Sequence, residues 1–282
     1  MMITKKQIVE YYDTCEIDYK NNWHLDKCLA IHIGYWDKTT KNLPEALERQ
    51  NEVMAEKAKI KQKDIVLDMG CGVGGSSIFL AKKYGCKVFG ITLSKNQVVS
   101  ALNFSKINNV ENLTRFQIMD FTKTAFSNSI FDVIWALESS CYADSKRTFI
   151  KEAYRLLKKD GRLIVADGFE SKAKYKSYER ELLDKWIKRW AVNSLESIKS
   201  FGSYLKEAGF TNIVFEDITK NVTHSSRMLF YRSLIAVPFA IISEVKGTRN
   251  KIQNDNLFGA IYQYLSLKKK LAKYGIFYAE KQ

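Results

Sequence analysis

The 282-residue chain carries 46% hydrophobic residues and only two prolines, so it can bury a large core and is neither disordered nor split by a Pro-rich linker. Its formal net charge of +14 would suit an anionic partner, but the lysines are dispersed and no zinc-finger or RNA-binding pattern occurs, so a nucleic-acid partner is not expected. Five cysteines without a CxxC spacing, an N-terminus without an apolar signal core and a longest apolar run of only nine residues (234–242) point to a cytoplasmic protein. The same features predict no transmembrane segment and leave peripheral membrane contact open.

Residues 1–60 read as a mostly helical N-terminal cover and contain "IHIGYWD" at 31–37. A first strand is predicted at 65–70, a helix over 76–85 closed by Gly85, a second strand at 86–92 and a helix over 94–109 with Ser94 as N-cap. Strands follow at 114–120 and 131–138, then a helix over 145–161 with Phe149, Ala153, Leu156 and Leu157 on one face, and a strand at 162–169. This alternation implies βαβ units and a parallel sheet over residues 61–170. Residues 171–282 read as helical cap segments plus the last two strands, the first following a helix within 201–219 and the second at 274–281. An insertion of about fifty residues between those strands is long for a connection inside a domain. Tyr175, Tyr178, Leu182, Trp186 and Trp190 recur at helical spacing, as packing against the core, as a lid over an apolar substrate, or as both.

The stretch "IVLDMGCGVGGSS" at 65–77 puts a glycine-dense loop directly after the first strand. Gly70, Gly72 and Gly75 fit the dinucleotide pattern GxGxxG, and Gly70, Gly72 and Gly74 fit the GxGxG pattern of methyl-donor enzymes. Ligands of parallel sheets bind beyond the carboxyl ends of the strands, which directs attention to 68–75, 92–97, 120–121 and 138–142. A dinucleotide site would place an acid at the end of the second strand, where this chain has Thr92, and no acidic residue occurs between Met69 and Val110. Asp68, Asp120 and Glu138 stand at three strand ends. Asp68 is suited to orient the ammonium of an amino acid, and Asp120 with Phe121 to receive an adenine.

"VLDMGCGVGGSS", "GITLSKNQ", the segment "FDVIWALESSCYADSKRTFIKEAYRLLKKDGRLIVAD" and the terminal "LKKKLAKYGIFYAEK" resemble class I S-adenosylmethionine-dependent methyltransferases, nearest to the γ-tocopherol methyltransferase and sterol methyltransferase-like group. The resemblance implies an α/β fold with a Rossmann-like, seven-stranded, mostly parallel sheet, S-adenosyl-L-methionine as cofactor and S-adenosyl-L-homocysteine as product. It implies donor contacts from Gly70, Cys71, Gly72 and Gly74, from Thr92, Leu93, Ser94 and Gln97, from Asp120 and Phe121, and from Leu137 and Glu138. "YYD" and "IHIGYWD" resemble N-terminal segments that fold over the donor, bringing in Tyr12, Tyr35 and Trp36. The chain departs from the plant members in having "ESSCY" where they carry a histidine after the "ES" pair.

The expected acceptor is a small molecule, lipophilic and isoprenoid-like or phosphorylated, methylated at carbon. A carbon acceptor must lose a proton, which requires a base within hydrogen-bond reach. Glu138 is the first candidate, with His24 and His32 as alternatives. Tyr12, Trp36 and Tyr142 are candidates to shield the sulfonium. Ser139, Tyr142, Trp186 and Trp190 are expected to meet the acceptor, and no metal is expected. Transfer to nitrogen or oxygen is the alternative. A nucleic-acid methyltransferase, disfavoured because the chain has no Pro-Pro, and an NADP oxidoreductase are more distant.

Overall fold

The computed structural model describes residues 3–23 and 25–282. The strand-forming segments adopt β1 (Ile65–Met69), β2 (Lys87–Thr92), β3 (Thr114–Ile118), β4 (Phe131–Leu137) and β5 (Leu157–Glu170), all parallel. Their residues are buried on both faces: Val66, Val88 and Val133 point to one layer, Leu67 and Ile134 to the other. Such strands need helices on both sides. α3 (Leu43–Lys57), α4 (Gly75–Tyr84) and α5 (Lys95–Ile107) cover the first layer through Val53, Met54, Ile78, Leu80 and Ala101. α6 (Lys146–Leu156) and α8 (Ile198–Ala208) cover the second through Phe149, Ala153, Phe201 and Leu205.

β7 (Phe210–Asp217) and β8 (Ala272–Lys281) complete a sheet of order β3-β2-β1-β4-β5-β8-β7, with β8 antiparallel to both neighbours. The expected seven strands are all present, and a two-residue strand, β6 (Glu196–Ser197), adds to β5. The order reverses at β1, between β2 and β4, where the chain leaves a crevice at the strand ends. The predicted caps are present: Gly85 closes α4 with φ +68°, and Ser94 opens α5, its Oγ accepting from the Gln97 N–H at 3.2 Å. The largest boundary difference lies between α6 and β5. The helix predicted over 145–161 ends at Leu156, because Leu157 turns extended and pairs with Phe131, burying both side chains.

The N-terminal helix α1 (Lys5–Trp23) lies over the crevice and is followed by the short α2 (Leu25–Cys28). α7 (Ser177–Arg189) carries the aromatic stripe only in part: Trp186 is buried and Tyr178 is exposed, while Tyr175 precedes the helix and donates its hydroxyl to the Leu271 carbonyl at 2.8 Å. The long insertion between β7 and β8 folds into α9 (Thr219–Val245) and α10 (Lys251–Lys268). α10 anchors α1: the Tyr11 hydroxyl donates to Asn256 Oδ1 at 2.8 Å, and Arg249, just before α10, makes two 2.7 Å bonds to Asp18. α9 is long and apolar enough, by length and composition, to cross a membrane, which a count of uninterrupted apolar residues does not reveal because Arg232 breaks the run.

Candidate functional site

A cavity of about 210 Å³ opens beyond the carboxyl ends of β1, β2 and β4 and is roofed by α1, the 29–33 segment, α7, α9 and α10. Its floor is the glycine loop. Gly70 (φ +110°) and Gly72 (φ +53°) hold left-handed conformations that bring bare backbone to the cavity. A Cβ on Gly70 would lie 2.3 Å from Ser139 Cβ, so glycine there lets the β1 and β4 loops touch. Cys71 also lines the cavity. Gly74 does not: a Cβ would meet Ala101 and Phe116 at 3.0 Å, so its absence packs α4 against the core. The third glycine of the loop at the cavity is Gly75, where a Cβ would be 1.8 Å from the Leu29 carbonyl oxygen.

Asp68 is 2% exposed and accepts one hydrogen bond among the described residues, from Ser77 Oγ at 2.7 Å. Burial pushes its carboxyl up to about 7, against the smaller opposing effect of Ser77. At the end of β2, Thr92, Leu93, Ser94 and Gln97 face the cavity. Thr92 Oγ1 donates to Gln97 Oε1 at 2.5 Å. Ser94 Oγ donates to Asp13 Oδ1 at 2.6 Å, and Asn96 donates to Asp13 Oδ2 at 2.9 Å. Asp13, the last residue of the "YYD" segment, thus places a carboxylate from α1 beside β2.

Asp120 is a correction. It lies off the main cavity, in a small recess, where it accepts from the Lys5 ammonium and from the N–H and hydroxyl of Thr122 at 2.8 and 2.7 Å. These donors, at the turn and on α1, hold it away from the main space, while Phe121 lines both.

Glu138 and Leu137 line the cavity at the end of β4. Glu138 has φ +51°, an uncommon conformation for a non-glycine residue and one that recurs at functional sites. Its Oε1 accepts from the Ile33 N–H at 2.7 Å and the Tyr274 hydroxyl at 2.7 Å. Both bonds end on Oε1, and Oε2 has no protein donor among the described residues. Burial raises the carboxyl to about 7, with the two donors pulling the other way. Tyr274 was not foreseen: a tyrosine in a final strand reads as core, and only the placement of β8 beside β5 brings it to Glu138.

Of the alternative bases, His24 lies outside the described residues. His32 lines the cavity, but both ring nitrogens are engaged: Nδ1 pairs with the Ile33 carbonyl at 3.0 Å and Nε2 with Asn51 Nδ2 at 3.3 Å. Burial lowers its proton affinity to a value of about 4, so it is a neutral structural residue near pH 7.

Tyr12, Ser139, Tyr142, Trp186 and Trp190 all reach the cavity. The Tyr12 hydroxyl donates to that of Tyr142 at 2.8 Å, which donates to the Trp190 carbonyl at 3.2 Å. The two indoles meet edge to face at 6.1 Å and, with Leu229 and Ala236 of α9, make one end of the cavity apolar. Tyr35 and Trp36 are not on it. The Trp36 indole N–H donates to Ser225 Oγ at 2.7 Å and its ring stacks on His224, while the Tyr35 N–H donates to the Ala46 carbonyl at 2.8 Å. This pair fastens the 33–36 strap to α3 and α9.

Residues 3–229 match the family described as mycolic acid cyclopropane synthetase. The chain is 32% identical over 164 residues to phosphoethanolamine N-methyltransferase 1 of Zea mays, covering 58% of this chain and 31% of that one. It is 29% identical over 219 residues to sterol 24-C-methyltransferase of Saccharomyces cerevisiae, covering 75% and 54%. The chain thus spans about a third and about half of these relatives' lengths. In structure it is similar to geranyl diphosphate C-methyltransferase from Streptomyces coelicolor A3(2), solved with Mg2+, geranyl diphosphate and S-adenosyl-L-homocysteine, with a TM-score of 0.73 at 17% identity over 99% of this chain and 97% of that one. That likeness establishes the fold, the Rossmann-like methyltransferase architecture expected from the sequence. On the family match, which covers most of its length, the chain belongs to the mycolic acid cyclopropane synthetase family.

Proposed function

We propose that this protein is an S-adenosylmethionine-dependent methyltransferase acting at carbon on a small lipophilic, isoprenoid-like acceptor. The observation that carries the carbon assignment is Glu138, a buried carboxylate at the cavity with one oxygen held by two donors and a proton affinity raised toward neutrality. The residues fit the cofactor. Gly70 and Gly72 let a ligand approach the backbone, and Asp68 has room on its carboxylate for an ammonium because Ser77 supplies its one hydrogen bond. Thr92, Ser94 and Gln97 present neutral groups suited to a ribose diol.

S-adenosylmethionine, when bound, supplies an electrophilic methyl group on a sulfonium. The residues of this chain then align the acceptor, exclude water and handle the proton. Trp186 and Trp190, with Leu229 and Ala236 of α9, hold the hydrophobic part of the acceptor. As the new carbon–carbon bond forms and the carbon–sulfur bond breaks, Oε2 of Glu138 takes the proton from the methylated carbon. Tyr274 and the Ile33 N–H steady the carboxylate. Two methyltransferases similar to this chain, named for sterol and geranyl diphosphate, act at carbon of isoprenoid-derived molecules by those names, and this supports the acceptor class. The maize relative is named for transfer to nitrogen, and that reading makes a different demand: an amine acceptor needs no carbon base. The test is a panel of prenyl quinols, isoprenyl diphosphates, sterols, phosphoethanolamine and sarcosine, incubated with methyl-labelled donor and analysed by mass spectrometry. Label on carbon of a prenylated acceptor is expected. Label on nitrogen alone would replace the carbon assignment.

A further inference from the structure

Helix α9 has two faces of opposite use. Leu229, Arg232, Ser233 and Ala236 form one side and wall the cavity. On the opposite side Tyr231, Ile235, Phe239, Ile242 and Val245 follow at helical spacing and stand out in solvent, with Ile235 at 70%, Phe239 at 69% and Val245 at 85% exposure. Soluble surfaces seldom leave a contiguous apolar stripe of this length uncovered. Lys220 and Arg227 are exposed on the same side before the stripe, and Lys246 follows it, while Glu244, near its end, accepts from Asn254 of α10. From residue 218 to 243 the sequence contains no Asp or Glu, and the chain as a whole carries +14.

We infer that this face of α9 docks on an anionic phospholipid surface, with the helix lying in the plane of the interface. Lipid suits this face on two counts: large apolar side chains stand exposed along its centre, and the lysines and arginine before and after them, with the positive charge of the whole chain, attract anionic headgroups. The helix is long and apolar enough to cross a membrane, but its inner side is tied to the domain. Ser225 Oγ donates to the Gly34 carbonyl at 3.1 Å, Ser226 Oγ donates to Gln263 at 3.0 Å, and Asn254 donates to the Ala240 carbonyl at 3.3 Å. Spanning would strip these bonds into hydrocarbon, whereas lying flat keeps them. A second copy is the poorer occupant. A two-fold antiparallel contact between α9 helices would set Lys220 and Arg227 of one against Lys246 of the other, with like charges opposed at both ends. Docking by this face would also set the apolar end of the cavity one helix thickness from the lipid.

The inference rests on the surface of α9 and not on methyl transfer, so the two stand or fall separately. The experiment is co-sedimentation of the full chain with vesicles of phosphatidylcholine alone and of phosphatidylcholine mixed equally with phosphatidylglycerol, at low and high salt. Binding to the mixed vesicles that weakens with salt is expected. The double variant Ile235→Glu/Phe239→Glu, both positions being exposed, should lose roughly tenfold or more of that binding. It should keep its circular dichroism and its affinity for S-adenosylhomocysteine. Absence of binding to either vesicle, undiminished binding by the variant, or a dimer in light scattering that the variant converts to monomer would each overturn the assignment. Loss of vesicle binding in a variant that still methylates a soluble acceptor would leave the proposed reaction intact.

Discussion

Replacing Glu138 by glutamine isolates the carboxylate from its shape. In the parent, Oε1 accepts from the Ile33 N–H and the Tyr274 hydroxyl, both at 2.7 Å. A glutamine whose carbonyl oxygen takes the place of Oε1 keeps both acceptor contacts, so the strap over the cavity and the end of β8 stay in position. What disappears is the basic oxygen that receives the proton. General-base removal costs about 10²–10⁴-fold in turnover, equivalent to about 3–5 kcal/mol of transition-state stabilisation. Single-turnover rates with saturating labelled donor give this loss, and calorimetry with S-adenosylhomocysteine on the same sample should show donor affinity unchanged. The parent rate should rise with pH through an acid limb near 7, where Glu138 ionises, and the limb should vanish in the variant. The same ionisation links to stability with a definite sign. Because folding raises the Glu138 value from its ordinary 4.5 to about 7, the folded state holds a proton that the unfolded chain has already lost between those pH values. The parent therefore loses stability as pH rises through this window, and the glutamine variant lacks the Glu138 share of that loss while keeping the share due to Asp68. Melting temperatures of the two, compared at pH 5 and at pH 7.5, should move in favour of the variant at the higher pH. A variant with near-parental turnover would refute the base assignment, and one that lost donor affinity in step with rate would move Glu138 to the donor site.

Tyr274→Phe removes one of the two donors that favour the ionised form, so the acid limb of the parent's pH–rate profile should shift to higher pH with donor affinity unchanged; an unmoved limb would detach Tyr274 from Glu138. Gly72→Val puts a β-branched side chain at φ +53° on the cavity floor and should weaken S-adenosylhomocysteine binding by roughly tenfold or more in a chain that still folds, as checked by calorimetry beside circular dichroism. Hydrogen exchange in residues 1–40, 171–205 and 222–270 should slow on adding S-adenosylhomocysteine with an acceptor, since α1, α7, α9 and α10 roof the cavity. Equal exchange with and without both ligands would mean a fixed roof.

The order of strands and helices from β1 to β5 is legible in the sequence because each element carries its own signal: β-branched runs buried on both faces, an αL glycine at Gly85, and a serine N-cap at Ser94. The glycine loop likewise announces a close backbone approach, and strand-end position singles out Asp68 and Glu138, since ligand sites of parallel sheets lie at the carboxyl ends of their strands. Contacts between distant segments carry no such signal. Tertiary structure alone brings Tyr274 and the Ile33 N–H to Glu138, supplies Asp13 to Ser94 across 81 positions, and turns Asp120 toward Lys5 and away from the cavity. It also takes Trp36 out of the site, because an indole N–H needs an acceptor and Ser225 of α9 offers one. The physical reason is common to all of these. Local sequence dictates backbone conformation and which side of an element is apolar, whereas the partner of a buried polar group is whichever complementary group the packing of the whole chain brings within about 3 Å.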